Sequence, residues 1–466
     1  MEFPSGQFVW FFMVVMTVMW AIRSHRILRN GFLLLVSYWF CWQWQPLFLA
    51  AIIASSVFNY VVGGRIFDTE DLTRKKRFMT FGVVTNLLFL GYFKYYGFFT
   101  DNLSELLDTL GLSIHLPVLQ VIAPLGISFY TFQGIAYLVD AHRAKAIRPA
   151  SLLDFLLFIS FFPQLAAGPI CRSHELLPQI MAPSPPGMPH ISRAVTLIAT
   201  GLLKKMVLGT YLATHMVEEA FLDPTAFSAL ELWVIVFAYT AQIYLDFSGY
   251  TDLARGCGLL LGFEIPENFR YPYCSTNIGD YWRRWHMTFS SWLREYIYFP
   301  LGGSRCSRLR CYINLMITFV ACGVWHGANW GYMVWGFLHA VGLIAYKASL
   351  DLRRDYGMQA DGPFPWWRSV LGWSMTISFC AWVRIFFKAP DMETAAAFCS
   401  GLVAGTVTGS GIDLTVVGIT ILTLALNFVG KPIFDWFNRA HEQMPVRLRP
   451  LAWVCTALLL FAIRPY

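Results

Sequence analysis

Apolar runs of helical length recur along the whole chain. They cover residues 7–22, 31–44, 47–63, 79–99, 117–139, 151–168, 194–217, 230–248, 312–326, 331–349, 369–388, 412–429 and 450–463. A straight membrane span needs about 20 apolar residues. Several runs are shorter, which is tolerated where protein or a cavity surrounds the backbone. Only 14% of the 466 residues are charged and 56% are hydrophobic, whereas soluble domains carry about 25% charge. The expected fold class is an all-α polytopic membrane protein. Its expected extent is one integral domain over residues 1–466, with no room for a separate soluble domain. The first run follows "MEFPSGQFVWFF", which has no basic segment and no small-residue cleavage site, so it reads as a retained span.

The net charge of +7 fits loops beside an anionic leaflet and does not call for a nucleic-acid partner. The ten cysteines form no CxxC pair. Cys41, Cys322 and Cys455 fall in apolar runs and read as small buried hydrophobes. No metal ligand set stands out, and there is no Walker loop, GxSxG elbow or HExxH.

Loop charges predict an orientation. Arg23, Arg26 and Arg29 follow the first run, Arg74 to Arg77 the third, and Arg143, Lys145 and Arg148 the fifth. The stretches 100–117 and 218–231 carry acids without Lys or Arg. The positive-inside rule places the first set in the cytoplasm and the second outside. Run 151–168 then cannot cross. It ends in "FFPQLAAGPICR", whose Pro163, Gly168 and Pro169 break a helix, and it reads as re-entrant. The basic stretch 249–311 falls inside. Run 312–326 is about 15 residues, or roughly 22 Å of helix, against a core of about 30 Å. That length sets His326 at membrane depth.

Ionisable groups at that depth are functional candidates by default. His326 lies in "GVWHGANW", where Gly323 and Gly327 let a substrate or another backbone approach. An imidazole there is suited to take a proton from a hydroxyl and return it. The competing reading is a structural histidine bonding across helices. His286 lies in "GDYWRRWHMTFSSWLREYIYFPLGG". Trp282, Trp285, Phe289, Trp292, Tyr296 and Phe299 recur every three or four residues, which predicts an amphipathic helix. Either that helix lies at the interface with Arg283, Arg284 and Arg294 on anionic lipid, or those arginines face an anionic cosubstrate. "YLDFSGYTDLARG" sets Asp246 and Tyr250 four residues apart on one face. "PLGISFYTFQGIAYLVD" sets Ser128 and Gln133 within a span. Such groups are more often glue between helices than catalysts. The remaining histidines, His339 among them, read as solvated or hydrogen-bonded.

Five stretches, in order, resemble the membrane-bound O-acyltransferase (MBOAT) family: "PLGISFYTFQGIAYLVDAHR", "FISFFPQLAAGPICR", "YLDFSGYTDLARG", "IPENFRYPYCSTNIGDYWRRWHMTFSSWLREYIYFPLGG" and "GVWHGANWGYMVWGFLHA". The resemblance is to the bacterial branch that O-acetylates alginate. It covers about residues 30–350, is looser beyond, and the basic "FAIRPY" ending departs from that branch.

The resemblance implies a ring of about 11–13 transmembrane and re-entrant helices around a thin central funnel. It puts the family's intramembrane catalytic histidine on His326 and the second motif histidine on His286. The implied reaction moves an acetyl group from a cytoplasmic thioester, acetyl-CoA, across the bacterial inner membrane for O-acetylation of an exopolysaccharide. No metal is implied. Arg283, Arg284, Arg294 and Arg305 would hold the donor's phosphates. Trp282 and Trp285 would flank its adenine or pantetheine arm. Asn329, or a backbone N–H, would stabilise the oxyanion. The implied partner is a periplasmic SGNH-type esterase-like protein, with the polysaccharide reached directly or through a carrier hydroxyl. Sibling readings keep the enzyme and change the acyl group or acceptor to D-alanine, peptidoglycan, teichoic acid, a lipid or a protein. Readings of another class are a transporter, for which no internal repeat is visible, and a scaffold of a polysaccharide synthase.

Overall fold

A computed structural model describes residues 5–112, 124, 126–165, 167–184, 190–358, 365–404 and 411–463. His115, the start of the expected run 117–139 and the last three residues of the chain lie outside them. Every described element is helical. Seven helices among the described residues are long and apolar enough to cross a membrane. The residues gather into two compact units, one comprising Met1–Ala194 and Leu253–Pro266, the other Val195–Asp252 and Glu267–Tyr466.

The first unit holds α1 (Gly6–Ile22), α2 (Arg26–Trp42), α3 (Pro46–Asp68), α4 (Leu72–Thr109), α5 (Ile127–His142), α6 (Leu152–Ser160) and α7 (Ser173–Met181). Side-chain oxygens of Ser5, Asp71 and Ser151 accept from backbone N–H groups in the first turns of α1, α4 and α6, which satisfies donors the helix leaves open. The run expected at 151–168 is broken as its prolines and glycines require. Helix α6 has nine residues, about 14 Å, and cannot cross a core of about 30 Å. The chain then turns at Phe161 into a single helical turn, Phe162–Leu165.

Two of the arginines expected in a cytoplasmic loop belong to α2 instead. Arg29 is fully buried; its guanidinium donates to the carbonyls of Ile180 (2.6 Å) and Ala182 (3.1 Å). Beside it Asn30 donates to Asp154 (2.8 Å). The loop rule counts charges and cannot see that these polar groups satisfy one another.

The second unit holds most of α8 (Ile191–Leu222) and α9 (Ala229–Leu260). It continues with α10 (Ile278–Arg284), α11 (Met287–Leu293), α12 (Arg308–His326), α13 (Trp330–Asp355), α14 (Trp366–Lys388), α15 (Met392–Ala404), α16 (Leu414–Gln443) and α17 (Arg449–Ala462). Leu212, Phe221, Ile235, Ala381, Ile385 and Phe398 join α8, α9, α14 and α15 in one apolar core. Helix α15 lies across one end of this unit. Asn329 donates to Pro390 O (2.8 Å) just before it, and Trp233 donates to Leu402 O (3.3 Å) near its far end. Toward the opposite end of α12, Arg308 pairs with Asp355 and Tyr312 with Asp351 (3.0 Å).

Two expectations are corrected here. Helix α12 starts at Arg308, capped by the Ser307 hydroxyl, and its 19 residues measure about 28 Å. The short-helix argument for the depth of His326 therefore fails; packing half-buries that residue instead. Cys455 is exposed on α17 and not a buried hydrophobe, whereas Cys41 and Cys322 are buried.

Candidate active site

His326 is the last residue of α12. Two glycines fix how α12 meets α13. A Cβ on Gly323 would collide with the Tyr332 carbonyl oxygen and lie 3.2 Å from the Gly336 Cα. A Cβ on Gly336 would collide with Phe319 O. A Cβ on Gly327 would strike the Tyr332 ring. The space these residues leave is thus taken by a neighbouring backbone and a ring. The imidazole of His326 then sits in an aromatic box. Ring centroids lie at 4.6 Å for Trp325, 4.9 Å for Phe387, 5.0 Å for Trp335, 6.2 Å for Phe289 and 6.2 Å for Tyr332.

His286 shares two of those walls. Phe289 lies 5.1 Å and Trp325 6.3 Å from its ring. The single amphipathic helix expected here does not form. Helix α10 ends at Arg284, and His286 adopts φ +43°, ψ +54° before α11 begins. That is the left-handed region, which non-glycine residues enter rarely. Asn268 holds it from 18 residues upstream. Its carbonyl accepts from Met287 N–H (2.8 Å), while its side-chain oxygen accepts from Thr288 N–H (3.2 Å) and Thr288 Oγ1 (2.9 Å) and lies 3.1 Å from His286 Nδ1. After the break the chain runs back along α12, with Phe289 on Trp325 (4.1 Å) and Tyr298 Oη at Cys311 Sγ (3.1 Å).

A third imidazole and a cation complete the cluster. His339 is buried beside Trp335 (4.7 Å), the same ring that faces His326, and Trp282 Nε1 lies 3.3 Å from its Nδ1. Arg384 is 4% exposed, three residues before Phe387 on α14. Its guanidinium donates to Tyr281 Oη (2.6 Å) and lies over the Trp285 ring (4.8 Å). No carboxylate pairs with it among the described residues.

This histidine-centred aromatic pocket on membrane-crossing helices coincides with a family match. A profile of the MBOAT, membrane-bound O-acyltransferase family covers residues 120–387. The chain belongs to the MBOAT family. The peptidoglycan O-acetyltransferase of Helicobacter pylori is 33% identical over 453 residues, 92% of this chain and 80% of that protein. The probable alginate O-acetylase AlgI of Azotobacter vinelandii is 36% identical over 398 residues, 85% of this chain and 76% of that protein. The teichoic acid D-alanyltransferase of Bacillus subtilis is 29% identical over 286 residues, 59% of this chain and 71% of that protein. This MBOAT protein is an acyltransferase and a multi-pass integral membrane protein. The first of these alignments carries the likeness past residue 350, where the motifs themselves stop.

The other sequence-derived candidates of this MBOAT chain fall as follows. Arg283, Arg294 and Arg305 are exposed, while Arg284 is already paired with Asp280 (2.8 Å). Trp282 and Trp285 are corrected: both are 7% exposed. Trp285 is stacked on Tyr281 and Tyr273, and Trp282 is ringed by Phe319, Trp335 and His339. They form walls of the core and have no free face for an adenine. Asn329 caps α13, accepting from Gly331 N–H (2.7 Å) while its amide donates to Pro390 O; both ends of its side chain are engaged. Asp246 lies 3.9 Å from Lys205, four residues before Tyr250 on α9. Ser128 and Gln133 lie in the first unit, where Lys94 Nζ reaches the Ser128 hydroxyl (3.5 Å) and Gln133 donates to Cys171 O (3.4 Å).

Sequence reasoning passed over three residues of the cluster. Arg384 had a signal, as the one cation in the interior of the apolar run 369–388, which ends on Lys388. His339 had the same signal and was set aside as bland. Asn268 had none, because its role exists only once residues 268 and 286 meet.

Proposed function

We propose that this MBOAT enzyme is an O-acetyltransferase. It takes acetyl from a cytoplasmic thioester, acetyl-CoA, and passes it across the bacterial inner membrane for O-acetylation of an exopolysaccharide, with His326 as the base. The observation that carries this reading is the aromatic box in which His326 and His286 share Phe289 and Trp325. A buried imidazole and a half-buried one against the same aromatic rings suit a reaction in which a proton must leave a hydroxyl beside an apolar surface.

The chemistry balances without a metal or an oxidant. The acceptor hydroxyl oxygen attacks the thioester carbonyl carbon while His326 takes its proton. The tetrahedral oxyanion collapses, the C–S bond breaks, and the imidazolium returns the proton to the departing thiolate. The products are an O-acetyl ester and the free thiol. A thioester is already activated, so positioning supplies most of the remaining acceleration, and a base typically adds about 10²–10⁴. The exposed Arg283, Arg294 and Arg305 are suited to meet the donor's phosphates. An SGNH-type periplasmic partner is the proposed final carrier of the acetyl group.

His326→Ala, expressed in membranes at the wild-type level, should lose at least about a hundredfold of acetyl transfer from radiolabelled acetyl-CoA. Normal transfer in that variant rejects the base. A second acceptor, peptidoglycan, is favoured by the alignment spanning 92% of the chain with a peptidoglycan O-acetyltransferase. Ester content measured separately in exopolysaccharide and in wall from a deletion strain separates the two.

A further inference from the structure

We infer that Asn268 is a positioning residue that locks His286 in the Nδ1–H tautomer and presents its Nε2 to substrate solely as a hydrogen-bond acceptor. The inference rests on the proposed function for the identity of the substrate, but its geometry stands alone.

The argument starts from an atom whose role is fixed. The Thr288 backbone N–H can only donate, and it points at the Asn268 side chain at 3.2 Å. The atom facing it must therefore be the amide oxygen; a flipped amide would set two donors against each other. The Thr288 hydroxyl, 2.9 Å from the same oxygen, agrees with this orientation. His286 Nδ1 lies 3.1 Å from that oxygen. An oxygen that only accepts requires Nδ1 to carry the hydrogen. In a neutral imidazole Nε2 is then a bare lone pair.

The ring is neutral. His286 lies outside the membrane-crossing helices, 2% exposed, and burial lowers its pKa to about 3. The rings around it, Phe247, Phe269, Phe289 and Trp325, carry no charge. Its Nε2 is buried with no hydrogen-bond partner among the described residues. A buried polar atom left unmatched is costly and calls for an explanation, a catalytic role or a bound molecule among them; the Asn268 amide nitrogen beside it is buried without a partner among the described residues as well. The left-handed backbone at His286 adds to that cost, and the three bonds that Asn268 accepts from Met287 and Thr288 hold it. The ligand chemistry is a polar hydrogen, an O–H of the acceptor or an amide N–H of the donor arm. His286 so fixed does not protonate the leaving thiolate, which leaves proton transfer to His326.

The test is nitrogen-15 NMR of the full-length protein, labelled at histidine and held in lipid nanodiscs at pH 7. His286 is assigned by difference from His286→Gln. The expected wild-type spectrum has Nδ1 protonated and Nε2 bare. Asn268→Asp, which keeps an acceptor oxygen, should keep Nδ1 protonated, and Asn268→Leu should populate the Nε2–H form. A wild-type proton on Nε2 overturns the proposal, and so does an Asn268→Leu spectrum identical to wild type. The wild-type spectrum decides even where Asn268→Leu fails to insert. Unchanged acetyl transfer in His286→Ala, with Nε2 bare in the wild type, would keep the lock and reject the catalytic reading of this pocket.

Discussion

Burial among Phe247, Phe269, Phe289 and Trp325 holds the His286 ring near a pKa of about 3, whereas an unfolded imidazole titrates near 6.5. The unfolded chain therefore takes up a proton first as pH falls. The contribution is complete above about pH 6.5 and is lost progressively toward pH 3. Between pH 7 and pH 5 the loss is about 2 kcal/mol. In His286→Gln the apparent Tm in detergent should fall less across that interval than in the wild type. Equal acid sensitivity of the two proteins would show that this ring titrates freely in the fold. At this scale the sequence was informative where a residue is unusual for its surroundings. His326 stood out because an apolar run contained it. Asn268 did not, because an asparagine in a polar loop is ordinary until the histidine it holds is brought to it. The indoles of Trp282 and Trp285 misled for a related reason: helical spacing assigns a stripe, but says nothing of which neighbours cover it.

Among the elements, the pairing of α12 with α13 places His326, and it depends on the absence of two side chains. Even a methyl on Gly323 meets the Tyr332 carbonyl oxygen. Overpacking of this kind costs about 1–3 kcal/mol, and a shift of about 1 Å at a reacting group costs about a hundredfold in rate. Gly323→Ala should thus lower both apparent Tm and acetyl transfer, the second far more than the first. Gly418→Ala on α16, where an added Cβ meets nothing within 4 Å, should change neither by much. Parallel effects of the two substitutions on transfer would remove the packing argument. The crossing itself was half legible: the small residues beside His326 announced a close approach, though not whether a substrate or a helix makes it. The break between α10 and α11 was not legible at all, since 282–299 has helical spacing throughout and the interruption comes from Asn268. Helix α15 left a signal that was missed. Asp391 accepts from Thr394 N–H (2.7 Å), and "DMET" before an alanine-rich run is a helix start.

At the scale of the whole molecule, the helical membrane class followed from apolar runs of helical length, since a barrel, the other fold that satisfies every backbone group in lipid, needs short alternating segments instead. Orientation in the bilayer is a matter of charge, and the second unit gathers several arginines at one end of α12, although Lys388 closes α14 near the other. Arg308 and Asp355 meet where α12 begins and α13 ends, with Arg310, Arg353 and Arg354 close by in sequence. At the other ends of these two helices, Asn329 joins the turn before α15, where Asp391 caps. The Asp223 carboxylate, accepting from Thr225, is held below the usual carboxylate range and stays ionised. Basic termini remain in the cytoplasm more readily than acidic ones, so the arginine end of α12 should face the donor and the His326 end the acceptor. Labelling with a maleimide that cannot cross membranes tests this, using the exposed Cys306 and a Thr225→Cys variant. On intact spheroplasts residue 225 should react and Cys306 should not; after permeabilisation both should. The reverse pattern would put the arginine end outside, and with it the exposed Arg283, Arg294 and Arg305. An acyl thioester made in the cytoplasm would then not meet those arginines, and the proposed direction of transfer would have to be given up along with the orientation.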